Sequence, residues 1–297
     1  MREYEIKAGG KINLGLDVVG RREDGYHLVR MVMQTVRLCD RLEFRSTAGP
    51  AITIESNLQY LPVNENNLIY KAIELIRKEY NITDGMRVRV DKRIPVAAGM
   101  AGGSADAAAT LKAMNRMYDL GISRKRLSEL GLTLGADVPY CLMGGTALAE
   151  GIGEELTPLP AVPAARVLLV RPAVSISTAG VYAKIDAEPH PIHPDIDGLI
   201  SAIEAGDIEG MCSRFGNSLE AVSCTDYPVI EEIKSRMLEL GACGAMMSGS
   251  GPTVFGIFTE QKKAEHAFYE FKGGEYGRNT SLTDFFNPHK EGRKWTK

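Results

Sequence analysis

The chain has 297 residues, 44% of them hydrophobic and 25% charged, with a formal net charge of −3. That is enough apolar material for one large core or, more in keeping with the length, two, while the interleaved charges leave no extended positive surface for nucleic acid. No stretch approaches the ~18 apolar residues of a membrane span, the opening segment lacks the apolar region of a signal peptide, and five scattered cysteines form no C-x-x-C pair, so a reducing cytoplasm is expected.

Apolar alternation predicts strands over residues 11–19, 27–38, 41–45, 52–55 and 86–90, with a turn at 22–25. A helix over 67–80 follows from the stripe Ile69, Ala72, Ile73 and Ile76. Residues 95–111 are a glycine-rich turn running into an alanine-rich helix, with Ser104 expected as its cap and Ala107, Leu111, Met114 and Tyr118 as its apolar stripe. Another helix is expected from near Ser123, then a strand around 142–149. Residues 156–165 hold three prolines and read as a crossing, placing one domain at 1–158 and a second at 159–297. Beyond it come a strand at 166–170, helices at 178–184 and 227–240, paired strands at 244–247 and 253–258, and a helix at 261–271. The polar tail from about Gly273 is expected to be peripheral and its basic end (Lys290, Arg293, Lys294, Lys297) solvated. Strands and helices mixed in this way predict an α+β protein rather than a doubly wound sheet, with a ferredoxin-like second domain.

The turn before the alanine-rich helix has the character of an anion site. Gly99, Gly102 and Gly103 are expected to take positive φ and let N–H groups converge, and the helix start adds partial positive charge. Such a turn is also a common tight connection. It has neither the Gly-Lys-Ser/Thr ending nor the G-x-G-x-x-G run of two familiar phosphate binders, and the chain lacks the His-Arg-Asp and Asp-Phe-Gly of protein kinases. Transfer of a phosphoryl group to a hydroxyl asks further for a group beside the attacking oxygen and for positive charge where negative charge builds up. Asp137, in Gly-Leu-Thr-Leu-Gly-Ala-Asp-Val-Pro (131–139), is the candidate for the first, although an Asp in a turn is often bonded to its own backbone. Lys11, in Gly-Gly-Lys-Ile-Asn-Leu-Gly-Leu (9–16), is the candidate for the second, with Asn13 on the same face of its strand; an ordinary surface lysine is the plainer alternative.

The loop resembles the Pro-x-x-x-Gly-Leu-Gly-Gly-Gly-Ser-Ser-like loop of the GHMP kinases, which phosphorylate small molecules with ATP. Met100 and Ala101 stand here for the commoner Leu and Gly, and Ala105 for the second serine. Segments 9–16, 95–111 and 131–139 match the three places where the diphosphocytidyl branch of that family keeps its active site. The resemblance, from Lys11 to about Phe258, implies the two-domain fold with an N-terminal ribosomal-protein-S5-domain-2-like unit. It also implies ATP with Mg²⁺, and phosphorylation of the 2-hydroxyl of 4-diphosphocytidyl-2-C-methyl-D-erythritol in non-mevalonate isoprenoid synthesis. Asp137 is then the base and Lys11 its partner, worth ~4 kcal/mol at ~4 Å and an effective dielectric near 20.

The same resemblance makes Pro95, Ala97, Ala98, Gly99, Met100, Ala101, Gly102, Gly103, Ser104 and Ala105 the phosphate loop, with Asn67 and Lys92 near the adenine. Asn67 is equally a helix cap and Lys92 equally a solvated charge. Asp24-Gly25-Tyr26-His27 offers His27 to hydrogen-bond cytosine, and Tyr26 and Tyr182 to sandwich it, with Thr178 and Asn13 also at the substrate; two half-buried rings after a turn are the plainer reading. Residues 247–253 resemble the glycine motif that closes against the loop, and could equally be a hairpin turn. Two rivals stay open: a homoserine, mevalonate or sugar kinase of the same family, the last lacking its Gly-Glu-His/Asn-x-Asp stretch here, and a nucleotide-binding module without catalysis, which would have no need of an aligned Lys and Asp.

Overall fold

In the computed structural model, which describes residues 1–188 and 192–288, two sheets divide the chain. The first has six strands: β1 (Glu3–Arg21), β2 (His27–Thr47), β3 (Ile52–Ser56), β4 (Gly85–Asp91), β5 (Thr146–Glu150) and β6 (Glu155–Pro158). β2 is long enough to pair with β1 along one edge and, along the other, with β5 through Met31 to Gln34 and with β4 through Arg41 to Thr47. β3 and β4 run parallel, joined by α1 (Leu68–Tyr80), which buries Ile69, Ala72, Ile73 and Ile76. Each of those isoleucines contributes about 1.5–3 kcal/mol by leaving water.

Helix α2 (Gly102–Met117) packs on α1 and β1 through alanines small enough for close approach, and its buried row includes Ala107, Leu111 and Met114, while Tyr118 only ends it. α3 (Arg124–Leu132) and the short α4 (Val138–Met143) follow. The expected strand at 142–149 therefore begins as the end of α4 and reaches strand form only at Thr146. β1 and β2 extend well past their expected bounds, because residues that look polar in the sequence are half-exposed ladder positions of a hairpin.

The second sheet comprises β7 (Arg166–Val170), β8 (Gly244–Met247), β9 (Val254–Phe258) and β10 (Thr280–Asp284), in the order β10-β7-β9-β8 and antiparallel throughout. Its helices are α5 (Thr178–Ile185), α6 (Ile196–Ala205), α7 (Ile208–Cys212), α8 (Glu220–Asp226), α9 (Val229–Glu239) and α10 (Gln261–Gly273). Helical segments leading from β7 to β8, and α10 between β9 and β10, complete the expected ferredoxin-like pattern. Helices α6 to α8 were not expected from the sequence.

The tail is not peripheral, which corrects the sequence expectation. β10 pairs with β7 along its whole length, and Phe285 and Phe286 are buried beyond it. The Phe286 N–H donates to the Thr35 carbonyl at 2.8 Å, and Gln34 Nε2 donates to the Phe286 carbonyl at 3.1 Å, so the tail joins the second sheet to β2. The basic end from Lys290 lies outside the described residues. The halves meet again where Leu16 N–H donates to the Gly216 carbonyl and Ser218 N–H to the Leu16 carbonyl, both at 2.9 Å.

Candidate active site

Between β4 and α2 the backbone takes left-handed conformations at alternate residues: Ala97 (φ 50°), Gly99 (φ 74°) and Ala101 (φ 53°). Left-handed residues alternating with ordinary ones turn consecutive N–H groups to one side, the geometry of an anion-binding concavity. The sequence expectation is corrected in detail, since Gly102 and Gly103 already lie in the helix with ordinary φ and two alanines take the strained positions instead, at ~1–2 kcal/mol each. Ser104 is the third residue of α2 rather than its cap. The cap is Ala101, whose side chain can bond nothing, so the first-turn N–H groups have no side-chain acceptor from the cap.

Gly99 is where the loop touches the other half of the protein. Its carbonyl accepts from Ser248 Oγ at 2.9 Å and from Lys11 Nζ at 3.1 Å, and a Cβ added there would stand 1.9 Å from the Ser248 carbonyl oxygen. The run 247–253 is held for this contact by Asn217, whose Nδ2 donates to the carbonyls of Met247 (3.0 Å) and Gly249 (2.8 Å), and by Glu220, which accepts the Met247 N–H at 2.8 Å. It therefore does close against the loop.

Just after a register shift between Gly9 and Lys11, Lys11 pairs with Thr35 and its N–H faces away from β2, donating to the Met100 carbonyl at 3.1 Å. Such irregularities re-aim side chains. The buried Lys11 ammonium then donates to Asn13 Oδ1 (2.7 Å) and to Gly99, using two of its three protons. Asn13 is fully buried, with Nδ2 on Met31 Sδ and its N–H on Ser248 Oγ, so its amide positions Lys11 and is spent inside the protein.

Asp137 stands at the cap position of α4 and makes no capping bond; among the described residues no hydrogen bond or ion pair reaches its carboxylate. It is thus not the self-bonded turn former that its sequence context allowed. The direct contact expected with Lys11 is also absent, as no ion pair within 4.0 Å joins them. They share a corner nonetheless. The Cys141 thiol, pushed far up mainly by burial, is raised further by the Asp137 charge and lowered by that of Lys11. Asp137 likewise adds to the burial that pushes the Tyr182 hydroxyl up to about 12. Ser104 Oγ faces the same turn, 3.9 Å from where a Cβ on Gly135 would lie.

Across this corner, Tyr182 on α5 packs against His27 with ring centroids 4.8 Å apart and a 34° tilt. Tyr26 is 61% exposed and is not stacked on Tyr182, so the expected pair of tyrosines is instead a His–Tyr contact with Tyr26 standing free in solvent. Thr178 Oγ1 lies 2.8 Å from Ser250 Oγ, tying the start of α5 to the 247–253 run. Asp186, absent from the sequence reading, accepts from His27 Nε2 at 2.6 Å and from Arg21 Nη1 at 2.9 Å. With Nε2 donating, Nδ1 of a neutral His27 is an acceptor.

Asn67 caps α1, its Oδ1 accepting from Ile69 N–H at 2.9 Å and its Nδ2 donating to Pro62 carbonyl at 2.7 Å. Lys92 is neither a solvated charge nor extended toward a ligand. Its ammonium is buried between Asp40 Oδ2 (2.5 Å) and Asp106 Oδ2 (2.6 Å). Asp40 and Asp106 were missed because each acid sits alone in its own segment, and only the fold brings them to one cation.

Two family models match, one in each half: "GHMP kinases N terminal domain" over residues 67–145 and "GHMP kinases C terminal" over 199–274. A 4-diphosphocytidyl-2-C-methyl-D-erythritol kinase of Lachnoclostridium phytofermentans is 53% identical over 95% of this chain and 97% of its own. The chain belongs to the GHMP kinase family. A crystal structure of a 4-(cytidine 5'-diphospho)-2C-methyl-D-erythritol kinase matches this GHMP kinase with a TM-score of 0.80 and 32% identity, covering 95% of this chain and 98% of the other. The homoserine kinase of Cytophaga hutchinsonii shares the fold at a TM-score of 0.69 but only 19% identity, covering 96% and 94%. No helix among the described residues of this GHMP kinase is long and apolar enough to cross a membrane.

Proposed function

We propose that this GHMP kinase transfers the terminal phosphoryl group of ATP to the 2-hydroxyl of 4-diphosphocytidyl-2-C-methyl-D-erythritol. The observation that carries this is the 53% identity to a kinase named for that substrate over nearly the whole of both chains, against 19% for a homoserine kinase of the same fold. The left-handed loop with the open start of α2 takes the ATP phosphates, residues 95–105 forming the cradle and Asn67 bordering the base.

Asp137 is the group beside the attacking oxygen, since its carboxylate is unpartnered and can accept the proton of an alcohol. An alcohol whose pKa is near the ~15.7 of water gives that proton up only late in the transfer, so Asp137 contributes roughly 10²–10⁴-fold, and alignment by the loop supplies much of the rest. Lys11, held on the Gly99 carbonyl and Asn13, has one N–H left for the phosphoryl oxygens; standing beyond 4.0 Å from Asp137, it is free to serve them. His27 with its Nδ1 acceptor suits the amino group of cytosine, and Tyr182 and the exposed Tyr26 offer ring faces.

Ser104 Oγ has no hydrogen-bond partner among the described residues, and one hydroxyl beside nucleotide oxygens suits a magnesium ion, which keeps several waters. Bound there, the ion would neutralise charge on the phosphates.

The test is ADP release from Mg-ATP with each candidate alcohol. Turnover with the cytidine-diphosphate substrate and not with homoserine or mevalonate is the expected result. Turnover with either of those two alone would replace this assignment.

A further inference from the structure

The phosphate loop is closed on itself by a buried cluster to which no role in phosphoryl transfer has been given. Lys92 follows β4 and Asp106 lies on the second turn of α2, so the bond between them staples the two ends of residues 92–106. Asp40, on β2, completes the cluster. Its Oδ1 accepts the N–H groups of Arg93 (2.5 Å) and Ile94 (2.9 Å), and its Oδ2 binds the Lys92 ammonium. Asn57 grips the Lys92 backbone from both sides, accepting its N–H at 2.8 Å and donating to its carbonyl at 3.1 Å. The ammonium lies 3.5 Å from where a Cβ on Gly102 would be, directly under the helix start that faces the phosphates.

One feature of the cluster points beyond support. Asp106 Oδ1 is buried and has no partner. With both acids ionised the cluster carries a net charge of −1 in a site almost closed to water, with side-chain exposures of 3%, 0% and 5% for Lys92, Asp40 and Asp106. A single proton makes it neutral, and the unpaired oxygen of Asp106 is the place to hold it.

We propose that Asp106, bound to Lys92 beneath the first residues of α2, is a positioning residue that carries a proton when nucleotide is bound, so that affinity for ATP is linked to protonation of this buried cluster. The charged groups acting on Asp106, among the described residues, are Lys92 from the end of β4 and Asp40 from β2; from α4 only the Cys141 thiol feels it. Burial and Asp40 push the Asp106 carboxyl up to about 8 against the pull of Lys92. Below that pH the cluster is neutral. Above it, a buried negative charge stands under the phosphate site and opposes the nucleotide, so tighter binding and proton uptake go together.

The proposal rests on reading residues 95–105 as the ATP phosphate site, and the experiment separates the two. Mg-ADP binding is measured by calorimetry at pH 6 and pH 8 in buffers of different ionisation enthalpy, and KM for ATP and for the alcohol is followed from pH 6.5 to 9. The expected result is proton uptake on binding near pH 8 that vanishes at pH 6, and a rise in KM for ATP approaching roughly tenfold by pH 9, the fold by which the protonated cluster is depleted one pH unit above about 8. KM for the alcohol should show no matching rise. Asp106→Asn, which keeps the shape and the bond to Lys92 without the ionisable proton, should remove both the uptake and the rise, whereas loss of a merely structural role would shift KM at every pH alike. Wild-type binding without proton uptake at pH 8, or the same uptake in Asp106→Asn, overturns the proposal alone; no Mg-ADP binding by the wild type overturns the phosphate-site reading with it. If Asp106→Asn does not fold, the wild-type proton counts at the two pH values decide.

Discussion

Gly99→Ala is the smallest change that should separate the left-handed loop before α2, the proposed phosphate site, from the second half of the protein. The added methyl would be 1.9 Å from the Ser248 carbonyl oxygen, 3.0 Å from its carbon and 3.3 Å from Gly251 N, all backbone atoms that cannot swing aside. Two costs add. An alanine at φ 74° loses ~1–2 kcal/mol relative to the ordinary region, and overpacking against rigid backbone costs typically ~1–3 kcal/mol. The sum is roughly 2–5 kcal/mol, a large share of a typical domain's ~5–15 kcal/mol. Part of it can be relieved by moving the 247–253 run off the loop, which breaks the Ser248 bond to Gly99 and loosens the partner of Lys11. Urea unfolding should show the loss in midpoint, and steady-state kinetics should show KM for ATP raised by at least tenfold. A variant with wild-type midpoint and wild-type KM would refute the claim that this contact seats the loop.

Two further substitutions probe neighbouring features. Ala101→Gly should move stability the other way, since relief of the left-handed alanine (~1–2 kcal/mol) exceeds the extra chain entropy of glycine (~0.5–1 kcal/mol); a gain of about 0.5–1 kcal/mol by thermal or urea melting is expected, and a loss would show that the methyl makes contacts worth more than its strain. Asp186→Ala should leave His27 Nε2 without its acceptor and Arg21 with only the Gly25 carbonyl, raising KM for the alcohol about three- to tenfold with KM for ATP unmoved, while ¹⁵N NMR of His27 reports a loss of the Nε2–H tautomer; an unchanged tautomer would count against Asp186 as the group that sets it.

Most of the fold was legible because its signals are local. The stripe of α1 and the alternation of β4 follow the periods of a helix and a strand, and the glycine-rich run before α2 announces a loop that must pass close to something. What was not legible depends on contacts between distant segments. β10 is polar and short, and it is a strand only because β7 offers it an open edge; the two phenylalanines after it are core only because β2 lies beneath them. In the site, the periodicity put Lys11 and Asn13 on one face, and the structure joins them at 2.7 Å. The sequence could not tell that Lys11 would turn to the Gly99 carbonyl instead of Asp137, because that carbonyl reaches Lys11 only through the folded path of a loop far along the chain. Nor could it tell that left-handed positions would fall on Ala97 and Ala101, since alanine carries no local preference for that conformation.

The proposed role of Asp137 as base is tested by single-turnover and steady-state kinetics of Asp137→Asn with Mg-ATP and 4-diphosphocytidyl-2-C-methyl-D-erythritol. Because the Asp137 side chain makes no bond among the described residues, the variant should melt with the wild type and keep its KM for ATP, while kcat falls by at least ~10². Turnover within threefold of the wild type, with ADP still formed on the alcohol, would contradict the assignment of Asp137 as the group that takes the proton.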